Sequence, residues 1–326
     1  MASSASSAPP PAARDGLRLL SLDGGGVRGL SELLILQAIM RSIDPQSPPK
    51  PCDVFDLICG SSSGGQSTPL TVYSSLIALM LGRLRMTVEE SIYVYIEFQK
   101  EIFRKTSGKL MHAVDIRGRL KSRYSAEALE KAVKSILLSR DLDQDVLLRE
   151  ANLRSAVTVV VATSVVDSRI ELFSSYHASP LGGDQQVRIW EAARATSAAP
   201  SFFDPVSIGP YQQKYVDGGM GANNPVYHTV QIAKEIWPEA DIACLVSIGS
   251  GTARLQSVPT QLLDMMQYLT AIATESERTA EMFARSNRDM TVADRYFRFN
   301  VSHGMEKIGS DEWSALDHIV SATRSY

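Results

Sequence analysis

The sequence predicts an α/β fold: a mainly parallel central sheet with helices packed on both faces. Two observations carry that expectation. Short apolar runs of strand length alternate along the chain with stretches of helical periodicity, which is the pattern of parallel strands joined by crossover helices. Two of the earliest runs also end directly in glycine-rich turns that lead towards helical sequence, as strands do when they place a site at the edge of a parallel sheet.

Taken in order, residues 1–16 form an Ala/Ser/Pro-rich tail too poor in large apolar side chains to fold, and residues 17–326 form one domain. Residues 17–22 read as a buried strand, followed by the turn Asp23-Gly-Gly-Gly-Val-Arg-Gly29 and a helix through Leu30, Leu33, Leu34, Leu36 and Ile39. A proline-rich loop precedes a second strand at 54–59, which enters Gly60-Ser-Ser-Ser-Gly-Gly65. Thr87 and Glu90 are spaced as a capping box ahead of a helix through Ile92, Tyr95, Ile96 and Phe103. Ser125 is placed to cap a helix through Leu129, Val133 and Leu137. The β-branched run 156–166 is expected to be a central strand, with 170–176 paired to it across Asp167-Ser-Arg169. A helix at 190–197, a strand into Asp217, a helix at 226–236 and a strand at 242–248 follow. A long helix over 259–286 and a strand at 296–301 complete the expected elements.

The composition is that of a globular protein, with 44% apolar and 21% charged residues and a formal net charge of −3. No basic face or tail is evident, so nucleic acid is not an expected partner. Cys52, Cys59 and Cys244 form no C-x-x-C pair, and no histidine stands at ligand spacing to a cysteine or carboxylate cluster, so neither a disulfide framework nor a metal is expected. No apolar run has the length of a membrane span or of a secretory signal, and the expected setting is cytoplasmic, with peripheral contact to membranes.

Three motifs carry chemistry. Gly60-Ser61-Ser62-Ser63-Gly64 fits a nucleophile elbow, in which glycines clear space for a strained turn that lifts Ser62 above the sheet edge. A Ser/Gly-rich turn can also be only a loop. The turn from Asp23 to Gly29 satisfies G-x-G-x-x-G through Gly24, Gly26 and Gly29, which suits a dinucleotide. It equally suits an oxyanion, because such a loop points backbone N–H groups at developing negative charge. The elbow favours the oxyanion, since Asp56 runs straight into Ser62 rather than ending a ribose-binding strand. Asp217-Gly218-Gly219, with Asn223-Asn224-Pro225 behind it, puts a carboxylate at a strand end, where it serves either as a base or as an Asx-turn cap of its own backbone. No histidine has a triad-like context, so a carboxylate is the candidate base for Ser62.

In order and spacing, D-G-G-G-x-R-G, G-x-S-x-G and D-G-G with N-N-P close behind resemble the patatin-like phospholipases. The resemblance extends over the stretch from Ala192 to Pro200, Phe202-Phe203, and the strand from Val246 to Gly251. It implies a three-layer α/β/α fold and hydrolysis of fatty-acyl esters of phospholipids or neutral lipids through an acyl-enzyme, with no cofactor. It further implies Ser62 as nucleophile, Asp217 as proton acceptor, Gly24, Gly25 and Gly26 as the oxyanion loop, and Arg28 as a basic group for a lipid phosphate. Arg28 reads equally well as a solvated arginine at a helix start. The expected partner is a lipid membrane or droplet surface. The same domain stands at the N-termini of larger, notably fungal, receptor-type proteins, so a fungal source and further C-terminal domains beyond this chain are expected.

One departure stands out. In the family the elbow runs directly into a helix, whereas residues 66–75 here separate Gly65 from the helix expected at 76–82. Pro69 does not fit inside a helix begun at the elbow, and Ser67 or Thr68 reads as a fresh N-cap. Either the segment resets the helix with Ser62 left in place, or it detaches the helix and leaves a catalytically impaired interaction module.

Overall fold

The computed structural model of the chain describes residues 15–62, 74–102, 124–150, 156–176, 186–199, 203–252, 276–305, 308 and 312–326. Eight strands form one sheet: β1 (Leu17–Leu22), β2 (Leu57–Gly60), β3 (Val157–Ser164), β4 (Ile170–Ser174), β5 (Val206–Ile208), β6 (Gln213–Asp217), β7 (Ile242–Ile248) and β8 (Tyr296–Phe299). Their order is β5-β6-β3-β2-β1-β7-β8, with β4 paired to β3 off this path. The five strands from β3 to β8 along that path are mutually parallel; β4, β5 and β6 add antiparallel pairings.

Alternation of side chains sorts the strands into two faces. Leu20, Leu22, Ile58, Val160, Ala162 and Ile248 point into a core formed with α1 (Gly29–Ile43), α3 (Ser74–Ala78), α4 (Val88–Ile102), α5 (Ala126–Leu138) and α6 (Ile189–Ser197). Leu17, Leu19, Leu57, Cys59, Val157, Val159 and Val161 face a second core, completed by α8 (Val226–Ile236) and α9 (Ser276–Ser286). The short helices α2 (Pro51–Val54), α7 (Gly219–Ala222) and α10 (Arg288–Val292), with α11 (Leu316–Arg324), are the other α-helices among the described residues. The three layers expected from sequence are therefore present. Near-continuous apolar strands are what a sheet covered on both faces requires.

The register aligns the strand ends. Leu22 stands opposite both Gly60 and Ile248, Gly60 opposite Val160, and Ile248 opposite Phe299. The next residues of β1, β2, β7 and β8 thus leave the sheet at one level, its carboxyl edge. β3 continues further. Val159 and Val160 pair with β2 on one side and β4 on the other, while Ala162 and Thr163 pair with β4 and β6. β2 and β6 therefore share one edge of β3 and run head to head along it. Asp217, opposite Ala162, arrives two positions beyond Gly60, opposite Val160.

Both capping expectations hold: Thr87 and Glu90 exchange side-chain and backbone hydrogen bonds at 2.8 and 3.1 Å, and Ser125 Oγ accepts from Ala128 N–H at 3.1 Å. Some boundaries differ. The strand expected at 54–59 is Leu57–Gly60, because Pro51 starts a helical turn that consumes Val54. The last strand stops at Phe299, and of the expected helix over 259–286 only Ser276–Ser286 falls within the described residues. Residues 63–73, which include Gly64, Ser67, Thr68 and Pro69, lie outside the described residues. α3 is described from Ser74 and continues as a π-helical turn over Leu79–Arg83, so Ser74 and Ser75 belong to the helix.

The start of α3 lies against the end of β2. Ser75 Oγ donates to the Gly60 carbonyl at 3.0 Å, and a Cβ on Gly60 would come within 2.8 Å of Ala78 Cβ and closer still to the Ser74 carbonyl oxygen. Gly60→Ala is therefore expected to force the helix and strand apart at a cost of about 1–3 kcal/mol. Denaturant unfolding would measure it, and a midpoint equal to that of the wild type would contradict this close packing.

Candidate active site

Ser62 Oγ donates to Asp217 Oδ2 at 2.9 Å across a sequence separation of 155 residues, and both residues are fully buried. The head-to-head arrangement of β2 and β6 on the edge of β3 brings them together. Asp217 is held on every side. Its N–H donates to the Ala198 carbonyl at 3.2 Å, and its carbonyl accepts from Thr163 Oγ1 at 3.0 Å. Its Oδ1 accepts from Gly219 N–H at 2.6 Å. The turn-capping contact and the contact with Ser62 thus fall on different carboxylate oxygens. Gly218 is required where the strands meet, since a Cβ there would overlap the Val161 carbonyl.

The glycine loop follows β1 at the same level. Asp23 N–H donates to the Ile248 carbonyl at 3.0 Å and Gly24 N–H to the Asn223 carbonyl at 2.8 Å. The Gly24 amide is therefore engaged, whereas the amides of Gly25 and Gly26 have no acceptor among the described residues. Gly26 has φ +58°, a backbone conformation that glycine adopts without strain. A Cβ on Gly25 would overlap the Ser250 side chain, whose Oγ donates to the Gly24 carbonyl at 3.0 Å. Gly29 admits Tyr95, whose hydroxyl donates to the Gly26 carbonyl. Ser61 N–H donates to the Leu22 carbonyl at 3.1 Å, which ties the serine turn to the glycine loop.

Behind the loop lie charged groups. Arg298 grips both Asp23 carboxylate oxygens, at 2.9 and 2.6 Å, and also reaches Glu277. Burial opposes the Arg298 charge, but Asp23 and Glu277 outweigh it and hold the guanidinium above its ordinary value. Arg28 is half-buried near Glu32 and Tyr95, and its Nε has no hydrogen-bond partner. Burial lowers its pKa, partly offset by Glu32 and Tyr95. Sequence reasoning missed Ser250, Glu277, Arg298 and Asn300. Ser250 falls in the Val246–Gly251 stretch of the resemblance, but without a role; the other three stand in no motif, and the β7–β8 pairing together with α9 brings them to Asp23. Asn223 was visible within N-N-P, but its role as the acceptor for Gly24 was not.

Glu32 is fully buried, accepts from Ser74 Oγ at 3.0 Å through Oε1, and leaves Oε2 unpartnered. Burial, then the Asp23 charge, raises its pKa well above the ordinary 4.5, against smaller opposing effects of Ser74, Arg298 and Arg28. The folded state thus binds this proton more tightly than the unfolded chain. Ionising Glu32 costs no stability below 4.5 and progressively more as pH rises towards the folded value. Glu32→Gln, neutral throughout, is expected to gain thermal midpoint over the wild type at about pH 8 and to lose that advantage at about pH 4. Equal gains at both pH values would show that Glu32 ionisation does not limit stability.

Comparison with known proteins agrees with this architecture. The model of the patatin-like phospholipase family matches residues 20–230. Phospholipase A I of Arabidopsis thaliana is 30% identical over 348 residues, covering 88% of this chain and 25% of that protein. Calcium-independent phospholipase A2-gamma of Mus musculus is 29% identical over 300 residues, covering 87% of this chain and 35% of that protein. Patatin-like protein 4 of Arabidopsis thaliana is 28% identical over 266 residues, covering 75% of this chain and 62% of that protein. The chain spans only a quarter to about a third of the first two relatives. Because the matched region takes in more than half of the sequence, including both glycine turns, Ser62 and Asp217, the chain belongs to the patatin-like phospholipase family.

Proposed function

We propose that the chain is a lipid acyl hydrolase that cleaves fatty-acyl esters of phospholipids or neutral lipids with a Ser62–Asp217 dyad. The observation that carries this reading is the buried 2.9 Å hydrogen bond from Ser62 Oγ to Asp217 Oδ2, in a turn tied to the base of the glycine loop through Ser61 N–H and the Leu22 carbonyl. Ser62 Oγ attacks the ester carbonyl carbon as its proton passes to Asp217 Oδ2. The carbonyl oxygen becomes an oxyanion and is received by the Gly25 and Gly26 amides, already oriented by the loop. Collapse breaks the ester C–O bond, and the leaving alkoxide takes the proton from Asp217, leaving an acyl group on Ser62. Water then attacks the acyl-enzyme by the same route and releases the fatty acid.

The substrate class is supported by relatives whose names are those of phospholipases. Among the described residues no helix is long and apolar enough to cross a membrane, and contact with a lipid surface in this reading is peripheral. The setting we propose is cytoplasmic. Arg28 attracts a lipid phosphate in this scheme only through whatever part of its half-buried side chain meets solvent.

A second reading, an impaired interaction module within a larger protein, draws on the sequence departure at residues 66–75, where Pro69 does not fit a helix begun at the elbow. The hydrogen bond from Ser75 to Gly60 favours the active reading, because it holds α3 against the end of β2.

Hydrolysis of p-nitrophenyl butyrate and of phosphatidylcholine vesicles tests the proposal. Ser62→Ala and Asp217→Asn are each expected to lower kcat at least about a thousandfold, and a fluorophosphonate probe is expected to label Ser62. Equal turnover by the wild type and Ser62→Ala would sink the dyad. Activity that emerges only when residues 66–75 are deleted would favour the impaired module.

A further inference from the structure

We propose that Arg298 is a positioning residue for the oxyanion loop: through its two-pronged grip on Asp23 it fixes the Gly24–Gly26 backbone and neutralises a buried carboxylate beside the developing oxyanion. The inference rests on the hydrolase reading above and deepens it.

Asp23 is the residue on which the loop turns. It is the first residue past the end of β1, its side chain is 1% exposed, and Gly24 follows directly. Arg298 Nη1 and Nη2 donate to its two oxygens at 2.9 and 2.6 Å, a fork that fixes the carboxylate plane as well as its position. Arg298 is itself built in. It lies opposite Ser247 in the β7–β8 pairing, donates to Ser247 Oγ at 3.0 Å, and reaches Glu277 Oε1 through Nε at 3.1 Å. Asn300 closes the frame: its Nδ2 donates to Glu277 Oε1 at 2.8 Å and its Oδ1 accepts from Gly251 N–H at 2.6 Å. Gly251 follows Ser250, the residue whose hydroxyl holds the Gly24 carbonyl.

The clamp is therefore supplied by α9 and β8, beyond the residues 20–230 that the family model matches. Its electrostatic side follows from placement. The amides of Gly25 and Gly26 serve to attract negative charge, yet Asp23 puts a carboxylate at the base of the same loop. In a buried site such a charge acts over longer distances than in water. Unbalanced, it opposes the oxyanion; forked to a guanidinium, it forms part of a compensated pair.

The test uses the full chain and p-nitrophenyl butyrate, with amide hydrogen exchange as a second readout that needs no turnover. Arg298→Met is expected to lower kcat by about a hundredfold, the loss typical of a displaced oxyanion donor, with KM changed less than about threefold. Exchange in the peptide spanning 20–30 should accelerate by about tenfold while α8 is unaffected. Adding Asp23→Asn to Arg298→Met should recover part of kcat, because it removes the stranded carboxylate. Unchanged kcat per folded molecule together with unchanged exchange at 20–30 overturns the proposal, as does a loss of kcat that only tracks the unfolded fraction. Should Arg298→Met fail to fold, Arg298→Lys keeps the charge without the fork. About a tenfold loss of kcat is then expected, and wild-type kcat and exchange overturn the proposal. If the wild type hydrolyses no ester, the exchange result alone decides the clamp: acceleration supports it while the hydrolase reading fails, and no acceleration removes it.

Discussion

Everything in the candidate site depends on two strands meeting head to head on one edge of β3. β2 stops at Gly60, and β6 enters the vacated edge from the opposite direction to end at Asp217. The serine turn and the carboxylate are thus fixed by the same ladder of backbone hydrogen bonds, although 155 residues separate them. A pair built on strand ends inherits the rigidity of the sheet, which is what a hydrogen bond of catalytic geometry needs. The arrangement works only if nothing bulky stands at the junction. Gly60 and Gly218 meet that condition on either side, one against α3 and the other against the Val161 carbonyl.

The same edge concentrates charge in a place with little water. Asp23 and Glu32 are buried, Arg298 is nearly so, and Asp217 is fully enclosed. Low polarity strengthens every paired interaction and penalises every unpaired one. The structure resolves the two carboxylates behind the loop differently. Asp23 receives a forked guanidinium. Glu32 receives one serine hydroxyl, keeps an unpartnered oxygen, and is driven towards its neutral form. Burial that disfavours the Glu32 charge and the guanidinium fork on Asp23 both act against uncompensated negative charge behind the loop.

What was legible in the sequence was local. The β-branched run that became β3, the capping box at Thr87 and Glu90 and the N-cap at Ser125 all act over a few residues, and each formed as expected. The boundary at Val54 was misread because an apolar residue after Pro51 fits a strand pattern and a helical turn equally well. The π-helical turn after α3 leaves no local mark, since it reflects packing along the sheet and not propensity. Arg298, Glu277 and Asn300 were invisible for a further reason. Their significance comes from tertiary placement: Ile248 opposite Leu22 and Phe299 opposite Ile248 set the end of β8 at the level of Asp23, and α9 brings Glu277 to Arg298 and Asn300. No pattern confined to one segment of the chain contains that information.

Asp217 shows how a short motif encodes more than a turn. An Asx-type cap and a catalytic base compete, at first sight, for one side chain. The carboxylate has two oxygens, and the geometry divides them: Oδ1 takes the Gly219 N–H and Oδ2 takes Ser62. The first bond fixes the rotation of the group, and that rotation presents the second oxygen to the serine. Capping is then the means by which the oxygen that accepts from Ser62 is aimed. A glutamate would add a methylene and a torsion, and a side chain without a second acceptor would keep the turn but offer Ser62 nothing to receive its proton. The requirement for aspartate followed by glycines thus arises from local backbone chemistry, while the identity of the serine it faces is settled by the meeting of β2 and β6.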